Sequence, residues 1–130
     1  MPNPEVVMAA QKRVMVLDDE PIVGERLKPA LEKEGFEVEV FTDSERAVQR
    51  LAESPFHVLV TDLKMRGPSG MDVLRYVKET APSTAVIVIT GYATIETHHE
   101  AEAWGAAKFV PKPFKIQEIA RLVREAAGPS

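Results

Sequence analysis

Val58-Leu59-Val60-Thr61-Asp62-Leu63-Lys64-Met65 is a short apolar run that ends in a carboxylate and breaks into Arg66-Gly67-Pro68-Ser69-Gly70. The run is too brief for a helix. Apolar runs of this length bounded by turn residues form strands buried on both faces of a parallel sheet. Asp62 then stands at the strand's C-terminal edge, where open α/β sheets hold their ligands.

Working outward, Arg13-Val14-Met15-Val16-Leu17 reads as the first buried strand and ends in Asp18-Asp19-Glu20. Pro21 suits the first turn of a helix, where its missing N–H costs nothing. Ile22, Val23, Leu27, Ala30 and Leu31 supply that helix's apolar face, Pro29 predicts a kink, and Gly35 ends it. Phe36, Val38 and Val40 alternate with Glu37 and Glu39, an edge-strand pattern. Thr42 with Glu45 reads as a capping box for a helix through Ala47, Val48 and Leu51, which stops at Ser54-Pro55.

Beyond the opening stretch, Met71, Val73, Leu74 and Val77 mark a helix that stops near Ala81-Pro82. Ala85-Val86-Ile87-Val88-Ile89 is the most hydrophobic strand and ends in Thr90-Gly91. A helix from Thr94 to Trp104 stops at Gly105, and Ala107 to Val110 form a last strand before Lys112-Pro113-Phe114. Ile116, Ile119, Leu122 and Val123 line a final amphipathic helix. Strand and helix alternate throughout, which predicts an α/β fold: a parallel sheet with helices on both faces and right-handed crossovers. The expected organisation is a flexible lead-in over residues 1–12, one domain over 13–127 and a tail at 128–130.

The chain has 130 residues, 45% of them hydrophobic and 28% charged, which suits one ordinary globular core. A net charge of -4 argues against direct nucleic-acid binding, which needs a basic surface. No apolar run is long enough to span a bilayer, and no secretory signal is visible. There is no cysteine, hence no disulfide and no thiolate site. These features fit a cytoplasmic chain with no membrane partner.

Parallel strands share one C-terminal edge, so the residues just past each strand become neighbours. The edge collects Asp18 and Asp19, Asp62, Thr90 and Lys112. Clustered carboxylates repel one another unless a cation joins them, and Mg²⁺ is the expected cofactor because it is hard and prefers oxygen ligands. A hydroxyl and an ammonium beside the same carboxylate are what phosphoryl oxygens require. Each residue alone has a plainer reading as a helix cap or a surface charge. Together they point to a metal-assisted carboxylate nucleophile that accepts a phosphoryl group.

These motifs, in this order and spacing, resemble the receiver domain of two-component response regulators over roughly residues 13–127. Asp18-Asp19, Asp62 with Met65 and Gly70, Thr90-Gly91 and Lys112-Pro113-Phe114 carry the resemblance. The stretch from Thr90 to Thr97 is similar to receivers of nitrogen-regulation-type activators. The resemblance implies a flavodoxin-like sheet of strand order 2-1-3-4-5. It implies Asp62 as phosphoacceptor from a sensor histidine kinase or phosphotransfer protein. Asp19 would be the main acidic metal ligand and Asp18 a direct or water-mediated one, with Asp62 and the Lys64 carbonyl completing the set. Thr90 and Lys112 would engage phosphoryl oxygens, and Phe109 would be the switch aromatic. The Lys112–Pro113 bond would be cis. The readout would be helix four, strand five and helix five, facing an output domain, a partner protein or a second copy of the chain. Proline usually follows the methionine matched by Met65, whereas here Arg66 does and Pro68 comes later. Lys64 and Tyr92 occupy positions that tune phosphoryl lifetime in the family.

Such a chain is a signalling domain rather than an enzyme, with self-phosphorylation and autodephosphorylation as its only chemistry. Three other readings compete. A phosphorylation-independent interaction module of the same fold would leave the edge idle. A Mg²⁺-dependent phosphohydrolase of the haloacid-dehalogenase type needs an acid two residues after its aspartate, and here that residue is Lys64. A flavin-binding protein needs a phosphate loop where this chain has Asp18-Asp19-Glu20. His98 and His99 read as ordinary partly exposed residues, with a metal site including Glu102, or a pH-sensitive contact, as the alternative. As helix neighbours they point about 100° apart. Trp104 is either a partner anchor or packed beneath the last strand.

Overall fold

The structure, a computed structural model, describes residues 11–65 and 67–129. Residues 1–10 of the lead-in expected over 1–12, the departure at Arg66 and the final Ser130 lie outside the described residues. The elements alternate as β1 (Arg13–Leu17), α1 (Pro21–Lys33), β2 (Glu37–Phe41), α2 (Ser44–Glu53), β3 (Val58–Thr61), α3 (Gly70–Thr80), β4 (Ala85–Thr90), α4 (Ile95–Ala103), β5 (Lys108–Pro111) and α5 (Ile116–Ala127). All strand pairs are parallel and the order is β2-β1-β3-β4-β5, as expected.

β3, the strand of the opening stretch, lies between β1 and β4, with Val60 beside Val16 and Ile87. The chain leaves β1 in one direction toward β2 and returns past it to β3. The loops after β1 and β3 therefore diverge, opening a crevice at their C-terminal ends. Side-chain alternation divides the core in two. Val14, Val16, Val58, Val60, Ile87 and Ile89 pack with Leu27, Leu31, Ile119 and Val123 of α1 and α5. Met15, Leu17, Leu59, Val86 and Val88 face Ala47, Leu74, Val77 and Ala101 of α2, α3 and α4. Each fully buried Val, Leu or Ile contributes about 1.5–3 kcal/mol of transfer free energy, so these layers hold the crevice in place.

Two local expectations are corrected. Ile22 is 54% exposed rather than part of the apolar face of α1. The buried stripe is Val23, Gly24, Leu27 and Leu31, and Ile22 falls one 100° step outside it. A Cβ on Gly24 would come 2.2 Å from Val40 Cγ1, so glycine lets α1 lie directly on β2. The cap of α2 is Asp43, whose carboxylate accepts the Glu45 amide at 2.9 Å, and not Thr42. The helix starts one residue later than a Thr42–Glu45 box requires. At α3 the capping box is Ser69 with Asp72.

α1 is continuous through Pro29. The helix expected over Thr94 to Trp104 is α4, with those two residues as its caps, and it buries only Ala101 among its described residues. Among the described residues no helix is long and apolar enough to cross a membrane.

Candidate functional site

The loops after β1, β3 and β5 meet at the C-terminal edge of the sheet, each fixed by a backbone bond. The Asp18 amide donates to Phe41 O at 3.1 Å, which makes Asp18 the last residue tied to the sheet there. Its side chain is 2% exposed, and Oδ1 accepts the Glu20 amide at 2.9 Å, turning the chain into α1. The Asp62 amide donates to Leu17 O at 3.1 Å, and Asp62 Oδ1 accepts the Leu63 amide at 2.6 Å.

The loop beyond Asp62 folds back tightly, since the Gly70 amide donates to Leu63 O at 2.8 Å. A Cβ on Gly70 would sit 1.7 Å from Asp62 O, so only glycine admits this approach. The Lys112 amide donates to Thr90 O at 2.7 Å, and the Lys112–Pro113 peptide bond is cis, as the resemblance implies.

Lys112 Nζ reaches across all three loops. It donates to Asp62 Oδ2 at 2.9 Å and to Glu20 Oε1 at 2.7 Å, and it lies 2.8 Å from Asp18 Oδ2. The third contact is an ion pair by distance only. Asp18 Oδ2 is buried and has no aligned hydrogen-bond donor among the described residues. Burial pushes the Asp18 carboxyl above its usual range, against the pull of Lys112 and the Glu20 amide. Burial also pulls the Lys112 ammonium down, but its contacts with Asp18, Glu20 and Asp62 together outweigh this and hold it above the ordinary lysine range. The same ammonium lowers the exposed Glu20.

Oxygens of Asp18, Glu20 and Asp62 all lie within 4.8 Å of one another. One ammonium faces three clustered carboxyl groups, and the buried Asp18 Oδ2 has only that poorly aligned ammonium beside it. That is a fit for a hard, oxygen-seeking cation such as Mg²⁺.

Of the residues expected at this edge, the structure brings Asp18, Asp62 and Lys112 together. Asp19 is exposed, is not one of the three clustered carboxylates, and lines a cleft with Thr42, Asp43, Glu45 and Gly67. Glu20 was missed as a participant, and its only signal was being the third acid of the run. Thr90 is fully buried, and its Oγ1 accepts the Tyr92 amide at 2.9 Å, a bond that leaves the hydroxyl proton free to donate elsewhere. Lys64 lays its Nζ over the Tyr92 ring, 4.1 Å from the centroid.

Phe109 is half-buried and stacked on His98, with ring centroids 4.7 Å apart. The rings of His98 and His99 are 6.4 Å apart and tilted by 45°. Trp104 caps α4, and the Arg75 guanidinium of α3 lies 5.2 Å from its ring centroid.

The family description "Response regulator receiver domain" matches residues 14–124. Response regulator receiver protein CpdR of Brucella abortus is 31% identical over 114 residues, which are 88% of this chain and 95% of that protein. A putative NtrX-like response regulator of Rickettsia typhi is 32% identical over 119 residues, 90% of this chain but 25% of that protein. This chain thus spans about a quarter of that longer relative. The solution structure of the beryllofluoride-activated NtrC4 receiver domain dimer superposes with a TM-score of 0.84 at 33% identity, covering 89% of this chain and 96% of that one.

Proposed function

The chain belongs to the response regulator receiver domains of two-component systems, and from that premise we propose that Asp62 accepts a phosphoryl group and that its acceptance reshapes the α4–β5–α5 surface. Receiver domains are signalling domains that interact with kinases and output domains. The donor is a sensor histidine kinase or a phosphotransfer protein. The observation that carries this reading is the single Lys112 ammonium held among Asp62, Glu20 and the buried Asp18.

In the transfer, an Asp62 carboxylate oxygen forms a new O–P bond as the N–P bond to the donor imidazole breaks. The electron pair stays on the imidazole nitrogen, which then takes a proton from solvent. Asp18, Glu20 and Asp62 are the carboxylates that would hold Mg²⁺, and the resemblance adds Asp19 and the Lys64 carbonyl. Mg²⁺ held there would supply charge neutralisation for the phosphoryl oxygens. Lys112 exchanges its bond to Asp62 Oδ2 for one to a phosphoryl oxygen, and the Thr90 hydroxyl donates to another.

Phosphorylation adds about -1.5 to -2 charges at this edge. Drawing in Thr90 pulls the loop that leads into α4, and Phe109 answers on β5. Such a switch biases an equilibrium that exists before phosphorylation. Its readout is an output domain, a partner protein or a second copy of this chain, and the dimeric state of the activated NtrC4 receiver supports the last.

The test is intact-mass spectrometry after incubation with acetyl phosphate, with and without Mg²⁺. One phosphoryl adduct on the wild type, absent without Mg²⁺ and absent in Asp62→Asn, is expected. An adduct that survives Asp62→Asn would move the acceptor elsewhere.

A further inference from the structure

α4 rests on little core of its own, burying only Ala101 among its described residues, so its surface contacts weigh more in setting its position. One of these contacts is unusual for a helix face. The ring of His98 lies flat on Phe109 of β5, with centroids 4.7 Å apart and planes within 9° of parallel. Glu102 Oε2 stands 3.7 Å from His98 Nε2, and Lys108 shares the shallow cleft formed with His98, Glu102 and Phe109. The stack therefore joins α4 to β5 at the residue expected to switch, and it holds the Phe109 ring half-buried against the helix.

We propose that His98 is a positioning residue for the switch: by stacking on Phe109 it holds that ring against α4 and sets how readily the α4–β5 surface answers Asp62. The proposal rests on the phosphoacceptor reading of Asp62. An inward turn of Phe109, the movement that the resemblance implies, opens the stack, so the stack favours the unphosphorylated arrangement. A ligand that binds the switched arrangement better must work against that preference, and its apparent affinity falls by the same factor. Removing the stack should return the factor. An aromatic ring at position 98 should keep it, with or without the Glu102 contact.

The probe is beryllofluoride with Mg²⁺, titrated into the full chain. Binding is followed by the fluorescence of Trp104, the only tryptophan, which caps α4. The ring signals of Phe109 are followed by NMR in the unliganded state. His98→Ala and His98→Leu should each bind beryllofluoride about 2- to 10-fold more tightly than wild type. Both should also lose the ring-current shift at Phe109, and His98→Phe should restore wild-type behaviour in both readouts. Unchanged affinity in His98→Ala, or His98→Phe behaving like His98→Ala, would overturn the proposal while wild-type binding upheld the phosphoacceptor reading. A wild type that binds no beryllofluoride would instead bring down that reading, and this proposal with it.

Discussion

β1 begins at Arg13 and hands over to Asp18, and the charges at its two ends are treated in opposite ways. At the start, the Arg13 guanidinium donates to Glu37 Oε2 at 3.2 Å, to Glu39 Oε2 at 2.8 Å, to the Ser54 hydroxyl and to Pro55 O at 2.8 Å. Its flat face covers the Phe56 ring at 4.3 Å. Arg50 adds paired bonds to Glu39 at 2.8 and 2.9 Å. Past the other end, Lys112 alone serves Asp18, Glu20 and Asp62, and an Asp18 oxygen is left without an aligned donor. The arginine end is closed and acts as structure. The acidic end keeps surplus negative charge, the feature that the proposed cation and phosphoryl group would meet.

The largest expected effect contrasts one glycine at each end. Gly70→Ala forces a methyl into the Asp62 carbonyl, 1.7 Å away, and should cost about 3 kcal/mol in denaturant unfolding. At the arginine end, a Cβ on Gly35 meets nothing within 4 Å, and its φ of +97° alone should make Gly35→Ala cost about 1 kcal/mol. Equal costs would break the contrast.

Lys112→Ala comes next. It leaves three carboxylates facing one another without their cation and should cost about 2–3 kcal/mol in the absence of metal. Saturating Mg²⁺ should recover much of that loss. Failure of Mg²⁺ to do so would mean that the carboxylates do not share the ion.

The smallest effect separates the ends by the sign of their pH dependence. The Arg50 hydrogen bond holds Glu39 below its usual pKa of 4.5. Its stabilisation is therefore present above that pH and is lost as pH falls through the lower folded value. Glu39→Gln should cost about 0.5–1 kcal/mol at neutral pH and flatten the acid limb of the stability curve below pH 4.5. Asp18 has the opposite sign. Burial raises its pKa, so its contribution is most favourable below 3.8 and declines as pH rises above that. Urea melts across pH of wild type, Glu39→Gln and Asp18→Asn would separate the two contributions by difference, and contributions of one sign would contradict the comparison.

Most of the fold was legible because alternating buried strands and amphipathic helices leave few topologies. The site was legible for a related reason: parallel strands must bring Asp18, Asp62 and Lys112 to one edge. What stayed hidden depends on side-chain reach and on one-residue offsets. Nothing in the run Asp18-Asp19-Glu20 says that Asp18 turns inward, that Asp19 stays exposed, or that Glu20 reaches Lys112 from the first turn of α1. Thr42 and Asp43 are both good caps, and which one caps α2 follows from where β2 releases the chain. Ile22 looks like core in composition and is excluded by helical phase. The stack of His98 on Phe109 joins two elements that sequence spacing cannot place in contact.

The central claim is that the acidic end of the sheet is incomplete without a cation, and thermal unfolding with increasing Mg²⁺ tests it most directly. At ten times its Kd, Mg²⁺ should stabilise the wild type by about 1.4 kcal/mol, a rise of roughly 5 °C in Tm. Asp18→Asn should largely lose that rise, and Glu39→Gln should keep it in full. A wild-type Tm that does not move with Mg²⁺ would contradict the account, because the surplus carboxylates would then be satisfied without the ion.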